Sequence, residues 1–143
     1  MSGPLRMAFA AFLALAVPAS AADARRISDV GKFCEEVMQS ISKKARGAAA
    51  DVIANSMGKP EASGTLVNAF QVFEGKNFDF TKKVLDKDYS GALRQIVYYS
   101  YVENLGFAYF RFNFKMSSSG WILANFAFKD ETNELFPKDF TEK

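Results

Sequence analysis

The sequence predicts an α+β domain, in which a long N-terminal helix and shorter helices pack on a C-terminal curved antiparallel meander of at least three strands. Two observations carry that expectation. Apolar residues recur at three-and-four spacing between Ser28 and Met57, the mark of one buried helical stripe. From Ala92 onward the spacing changes to two, in segments rich in aromatic and β-branched residues separated by turn sequences, which is the pattern of strands.

Ahead of the domain, Met1 to Ala21 reads as an export signal. Arg6 supplies the charged start, Met7 to Val17 an apolar run, and Pro18, Ala19, Ser20 and Ala21 a small-residue cleavage site. The run is about 11 residues long, whereas a helix needs about 20 to cross a bilayer, so a removable signal is expected rather than an anchor. Cleavage after Ala21 leaves residues 22–143 as a single domain, periplasmic or secreted, with no membrane span. No cysteine stands at the cleavage point, which argues against a lipoprotein.

With 49% hydrophobic and 24% charged residues the chain has the profile of an ordinary globular domain. Losing Arg6 from 18 basic residues set against 16 acidic ones leaves it nearly neutral, which excludes a strongly basic nucleic-acid binder. The single cysteine, Cys34, cannot form an internal disulfide, so packing must hold the domain together. On the helical stripe Cys34 reads as a small core residue, the alternatives being an intermolecular disulfide or a reactive thiol. There is no histidine, which removes the commonest general base and transition-metal ligand.

The first helix is carried by Val30, Phe33, Cys34, Val37, Met38, Ile41, Ala45, Ala48, Val52 and Ile53, with Gly47 as a point where it bends or splits and Gly58 and Pro60 as its stop. After a polar linker from Pro60 to Gly64, Leu66, Ala69, Phe70 and Phe73 predict a second helix ending near Gly75. Between Asn77 and Tyr89, Phe78 and Phe80 alternate like a strand while Phe80, Val84 and Leu85 fit a helix turn, and the segment is read as a short helix. Strands are expected over Leu93 to Glu103, Phe107 to Met116 and Trp121 to Asp130.

In the second of these strands Ala108, Phe110, Phe112, Phe114 and Met116 face one way, opposite Tyr109, Arg111, Asn113 and Lys115. In the third, Ile122, Ala124, Phe126 and Phe128 face away from Trp121, Leu123, Asn125 and Lys129. The two even-numbered sets share a face if the serine-rich turn has an odd loop. The first strand is apolar on both sides and is expected to be covered on both. The tail from Glu131 to Lys143 carries Leu135, Phe136, Pro137 and Phe140, an apolar patch expected to pin the C-terminus to the sheet.

The candidate ligand site is the mixed sheet face: Arg111, Asn113 and Asn125, with Tyr109, Tyr99, Tyr101 and Trp121. Aromatics with a few convergent polar groups line many small pockets, and Arg111 can clamp a carboxylate or phosphate through two parallel hydrogen bonds. The alternative is a layer of cross-strand tyrosine pairs with Arg111 lying over a ring. Asp86, Asp88, Ser90 and Gly91 resemble half of a calcium loop, but Val97 stands where the bidentate glutamate is needed, so no metal and no cofactor is expected. No nucleophile elbow, phosphate loop or zinc spacing occurs, and no catalytic residue is assigned.

The aromatic run Gly120-Trp121-Ile122-Leu123-Ala124-Asn125-Phe126-Ala127-Phe128, with Gly91 to Ile96 before the first predicted strand and Leu135-Phe136-Pro137 after the last, resembles small secreted bacterial proteins of the cystatin-like, nuclear-transport-factor-like superfamily. That resemblance implies a sheet wrapped around helices, a cone whose mouth is a pocket in some members, and pairing through the outer sheet face. The function expected is a non-catalytic binding or accessory domain for a small hydrophobic or anionic ligand or a partner protein. Two alternatives stay open: an envelope structural protein forming a homodimer through its sheet, and a histidine-free enzyme using a buried carboxylate and a tyrosine.

Overall fold

A computed structural model of the chain describes residues 25–129, so the segments expected to be an export signal and a C-terminal apolar patch lie outside the described residues. Helix α1 (Val30–Ser42) and helix α2 (Arg46–Ser56) are followed by a 3-10 turn (Pro60–Ala62), helix α3 (Ser63–Ala69) and a second 3-10 turn (Phe70–Phe73). Four strands complete the fold: β1 (Phe78–Tyr89), β2 (Leu93–Val102), β3 (Gly106–Ser117) and β4 (Gly120–Lys129). They form one antiparallel sheet in the order β1-β2-β3-β4, open and curved. Among the described residues no helix is long and apolar enough to cross a membrane.

Helix α1 starts where Asp29, in extended conformation, accepts a hydrogen bond from the Lys32 amide at 3.0 Å. It buries Val30, Phe33, Cys34, Val37, Met38 and Ile41, the stripe its spacing predicts. The expected long helix is split in two, one of the outcomes foreseen at Gly47. The break falls at Lys44, which adopts a left-handed φ of 68°, and not at Gly47, which sits exposed in the first turn of α2. The backbone change is held by Arg46, whose buried guanidinium donates to the Ile41 carbonyl at the end of α1 (3.1 Å).

The segment from Asn77 to Tyr89 is a strand, not the expected helix. It is the sheet's edge, and its ladder to β2 is irregular between Phe78 and Phe80 and again between Lys83 and Leu85. Each irregularity displaces the alternation by one residue, which is why Phe80, Val84 and Leu85 mimic helical spacing. The edge carries Asp79, Lys82, Lys83, Asp86, Lys87 and Asp88, charges that discourage pairing with a further strand. At its end Ser90 and Gly91 both take positive φ, 57° and 74°, and the Ala92 amide bonds back to the Tyr89 carbonyl at 3.0 Å, the hairpin geometry that matches strand twist.

The helices cover one face of the sheet. Phe33 meets Phe114 edge-on at 6.1 Å, and Phe73 packs at 5.2 to 5.8 Å on Phe78, Phe110 and Phe128. Each such buried ring contributes on the order of 2 kcal/mol by removing its surface from water.

The even-numbered faces of β3 and β4 do not share a side throughout. The β3–β4 loop is Ser118 and Ser119, with Ser117 paired to Gly120, an even loop that puts Trp121 opposite Met116. A bulge at Ala124 then shifts the register, so that Phe126 pairs with Phe112 and Phe128 with Phe110. Trp121 and Leu123 therefore belong to the helix-facing core, while Ile122, paired with Lys115, turns to the other side. The parity change expected of the serine turn is supplied by Ala124.

Candidate functional site

Strand pairing arranges the outer sheet face in rows across the four strands. Lys82, Tyr99, Tyr109 and Lys129 form one row; Leu85, Val97, Arg111 and Ala127 the next; Lys87, Gln95, Asn113 and Asn125 the third. Tyr101 pairs with Phe107 beyond the first row. The structure thus brings together Tyr99, Tyr101, Tyr109, Arg111, Asn113 and Asn125 as the alternation predicts, and places Trp121 on the opposite side.

On this face the rings form a packed layer. Tyr99 stacks on Tyr109 at 6.2 Å and on Phe107 at 5.4 Å, Phe80 stands edge-on to Tyr99 at 5.5 Å, and Tyr101 edge-on to Phe107 at 5.3 Å. Arg111 donates to the side-chain amide oxygen of Asn125 at 3.2 Å, and Gln95 donates to that of Asn113 at 3.1 Å. The amides are thereby engaged within the face. A depression of about 270 Å³ lies at its far end, lined by Tyr89, Leu93, Gln95, Asn113, Lys115 and Ala124, so Asn113 joins it while the tyrosines of the predicted set stand elsewhere. Cross-strand pairing of tyrosines is what this geometry displays.

A second concavity, which the sequence reading missed, lies on the helix side. It is a cleft of about 280 Å³ between α1 and the first two strands, lined by Glu35, Met38, Gln39 and Ser42 of α1, by Thr81 and Lys83 of β1, and by Tyr98 of β2. Tyr98 is only 4% exposed, and its hydroxyl is buried without a hydrogen-bond partner. Burial raises its pKa far above the ordinary phenol value, so the group stays protonated and acts as a donor. Thr81 and Ser100 satisfy each other at 2.8 Å; Lys83 stands 3.5 Å from Asp86. An orphaned hydroxyl in such a place costs about 1–3 kcal/mol unless something binds it.

Cys34 is fully buried on the same helix, and burial pushes its thiol far up. It is a core residue, inaccessible to a disulfide with another chain in the folded domain. Asp86 is gripped by Arg94 through both carboxylate oxygens at 2.9 Å, which holds its carboxyl below the usual range. Asp88 accepts the Gly91 amide at 2.7 Å. These two oxygens sets serve the strand and its turn rather than a calcium ion. Every described Asp and Glu is exposed, so the buried acid that a histidine-free enzyme requires is not among the described residues.

Sequence offered one signal for the cleft: Tyr98 alternates with Ile96 and Ser100 on the core-facing side of β2, where a phenol must find a partner. Comparison with known proteins found no matching family model, no matching curated protein and no matching solved structure.

Proposed function

We propose that the chain is an exported, non-catalytic binding domain, periplasmic or secreted, whose ligand is a small amphiphilic anion held in the cleft between α1 and β1. The observation that carries this reading is the Tyr98 hydroxyl, a buried donor without a partner on a residue that lines the cleft. Met38 offers an apolar wall, and Lys83 at the rim offers a cation to a carboxylate. Glu35 on the opposite rim repels the same group, so the anionic end sits on the strand side. The cleft is slightly smaller than the roughly 300–1,000 Å³ of ordinary ligand pockets, which favours a fragment-sized molecule. Helices cupped by a curved sheet are also what a cystatin-like relationship implies.

Titration of the isotopically labelled domain with hexanoate and with benzoate tests the reading. Amide shifts are expected at Glu35, Gln39, Lys83 and Tyr98, and Tyr98→Phe is expected to weaken binding about tenfold, the loss of roughly one good hydrogen bond. Shifts confined to Arg111, Asn113 and Asn125, or none with either probe, would reject it.

A further inference from the structure

We propose that the outer sheet face is a docking surface for the chain's own segment 130–143, which lies across it with Leu135, Phe136 and Phe140 over Val97 and Tyr109. This goes beyond the cleft and concerns the opposite side of the sheet.

The first argument is burial. Val97 and Tyr109 are each 1% exposed and form a small cluster with Val84, Leu85, Tyr99 and Phe107. The described helices pack on the other side, in a separate and larger core. Neighbours within one sheet layer close a residue off sideways but not from above.

The second is charge. Among the residues paired across this face the charged ones are Lys82, Lys87, Arg111, Lys115 and Lys129, all basic, with Asp79 standing outside the pairs at the β1 irregularity. The segment from Asp130 carries Asp130, Glu131, Glu134, Asp139 and Glu142 against Lys138 and Lys143. An apolar and basic face meets an apolar and acidic segment. A second copy of the chain, paired face to face, would instead set cations against cations.

The third is reach. Lys129 pairs with Tyr109, so the chain leaves β4 in the row it would cover. Fourteen residues at about 3.3 Å each extend some 45 Å, whereas four strands at about 4.8 Å spacing are only about 15 Å across.

The test attaches a nitroxide to Lys138→Cys in the full mature chain carrying Cys34→Ala and reads paramagnetic broadening of its amides. Broadening of Lys87, Val97 and Tyr109, with α1 and α2 sharp, is the expected result, and it persists when the labelled chain is diluted into unlabelled protein. Broadening that appears only between molecules, in a mixture of spin-labelled and isotope-labelled chains, would assign the face to a second copy and overturn the proposal. Broadening of α1 and α2, or of no sheet amide, would overturn it equally. Glu131→Lys with Glu134→Lys is expected to at least halve the effect, and unchanged broadening would refute the charge pairing.

Discussion

Arg46 donates a hydrogen bond to the Phe73 carbonyl at 2.9 Å while its guanidinium carbon sits 5.8 Å from the centre of the Phe73 ring. The same side chain bonds the Ile41 carbonyl (3.1 Å) and the Lys76 carbonyl (3.3 Å) and lies over the Phe78 ring at 5.5 Å. One planar fork thereby joins the end of α1, the second 3-10 turn and the approach to β1. Its residue is buried, and burial lowers its pKa without bringing an arginine near neutrality. Arg46→Ala leaves these carbonyls without their donor and is expected to cost about 2–4 kcal/mol, read as a lower urea midpoint with unchanged slope. Arg46→Lys is expected to recover less than half, because an ammonium cannot match the fork. Full recovery by lysine would show that charge alone suffices.

The cleft makes an opposite prediction for Tyr98. Removing a buried hydroxyl that has no partner relieves its desolvation cost, so Tyr98→Phe is expected to stabilise the ligand-free domain by about 1 kcal/mol. Urea unfolding without added ligand measures this. A loss of 1 kcal/mol or more would mean the hydroxyl already has a partner, and the cleft would lose its claim to be a site.

Asp86 gives a pH dependence of known sign. Arg94 holds its folded pKa below the unfolded value, so the contribution is complete above about pH 4 and fades as pH falls through the folded pKa. The pair is partly exposed, with side chains 28% and 30% accessible, and solvent screening limits it to under about 1 kcal/mol. Asp86→Asn is expected to lower stability at pH 7 and to lower it less as pH falls below about 4, checked by unfolding across that range.

The bulge at Ala124 makes a sharper claim about the sheet. Deleting Ala124 joins Leu123 to Asn125 and restores strict alternation with Trp121, Leu123 and Phe126 still facing the helices, so the deletion is expected to cost less than about 1.5 kcal/mol. Deleting Ile122 instead leaves the bulge and turns Trp121 away from the core, at an expected cost of about 2 kcal/mol or more. Thermal unfolding of the two deletions checks the order.

The strands that sequence located best are β2, β3 and β4, whose observed limits fall within one residue of the expected ones. They sit in the middle of the sheet or under the helices, where burial writes a pattern into side chains. β1 lies at the edge, mostly polar and twice irregular, so its pattern was erased by the features that protect it. The helix break was expected at Gly47 and falls three residues earlier, because a lysine, not a glycine, carries the left-handed turn. Alternation placed Tyr99, Tyr109, Arg111 and Asn125 correctly on one face but misplaced Trp121, since no local signal marks Ala124 as an extra residue. Tyr98 as a cleft residue depends on where α1 crosses the strands, a tertiary fact that no spacing within β2 contains.

Ile27 is bridged to Trp121, its amide donating to the Trp121 carbonyl at 2.9 Å. The outer margin of β4 is thus stitched to a stretch that a ribosome delivers almost a hundred residues earlier. Closing so large a loop is entropically slow, and the early stretch must wait unpaired until the final hairpin emerges. Folding of this domain is therefore expected to complete only after β4 itself has been released.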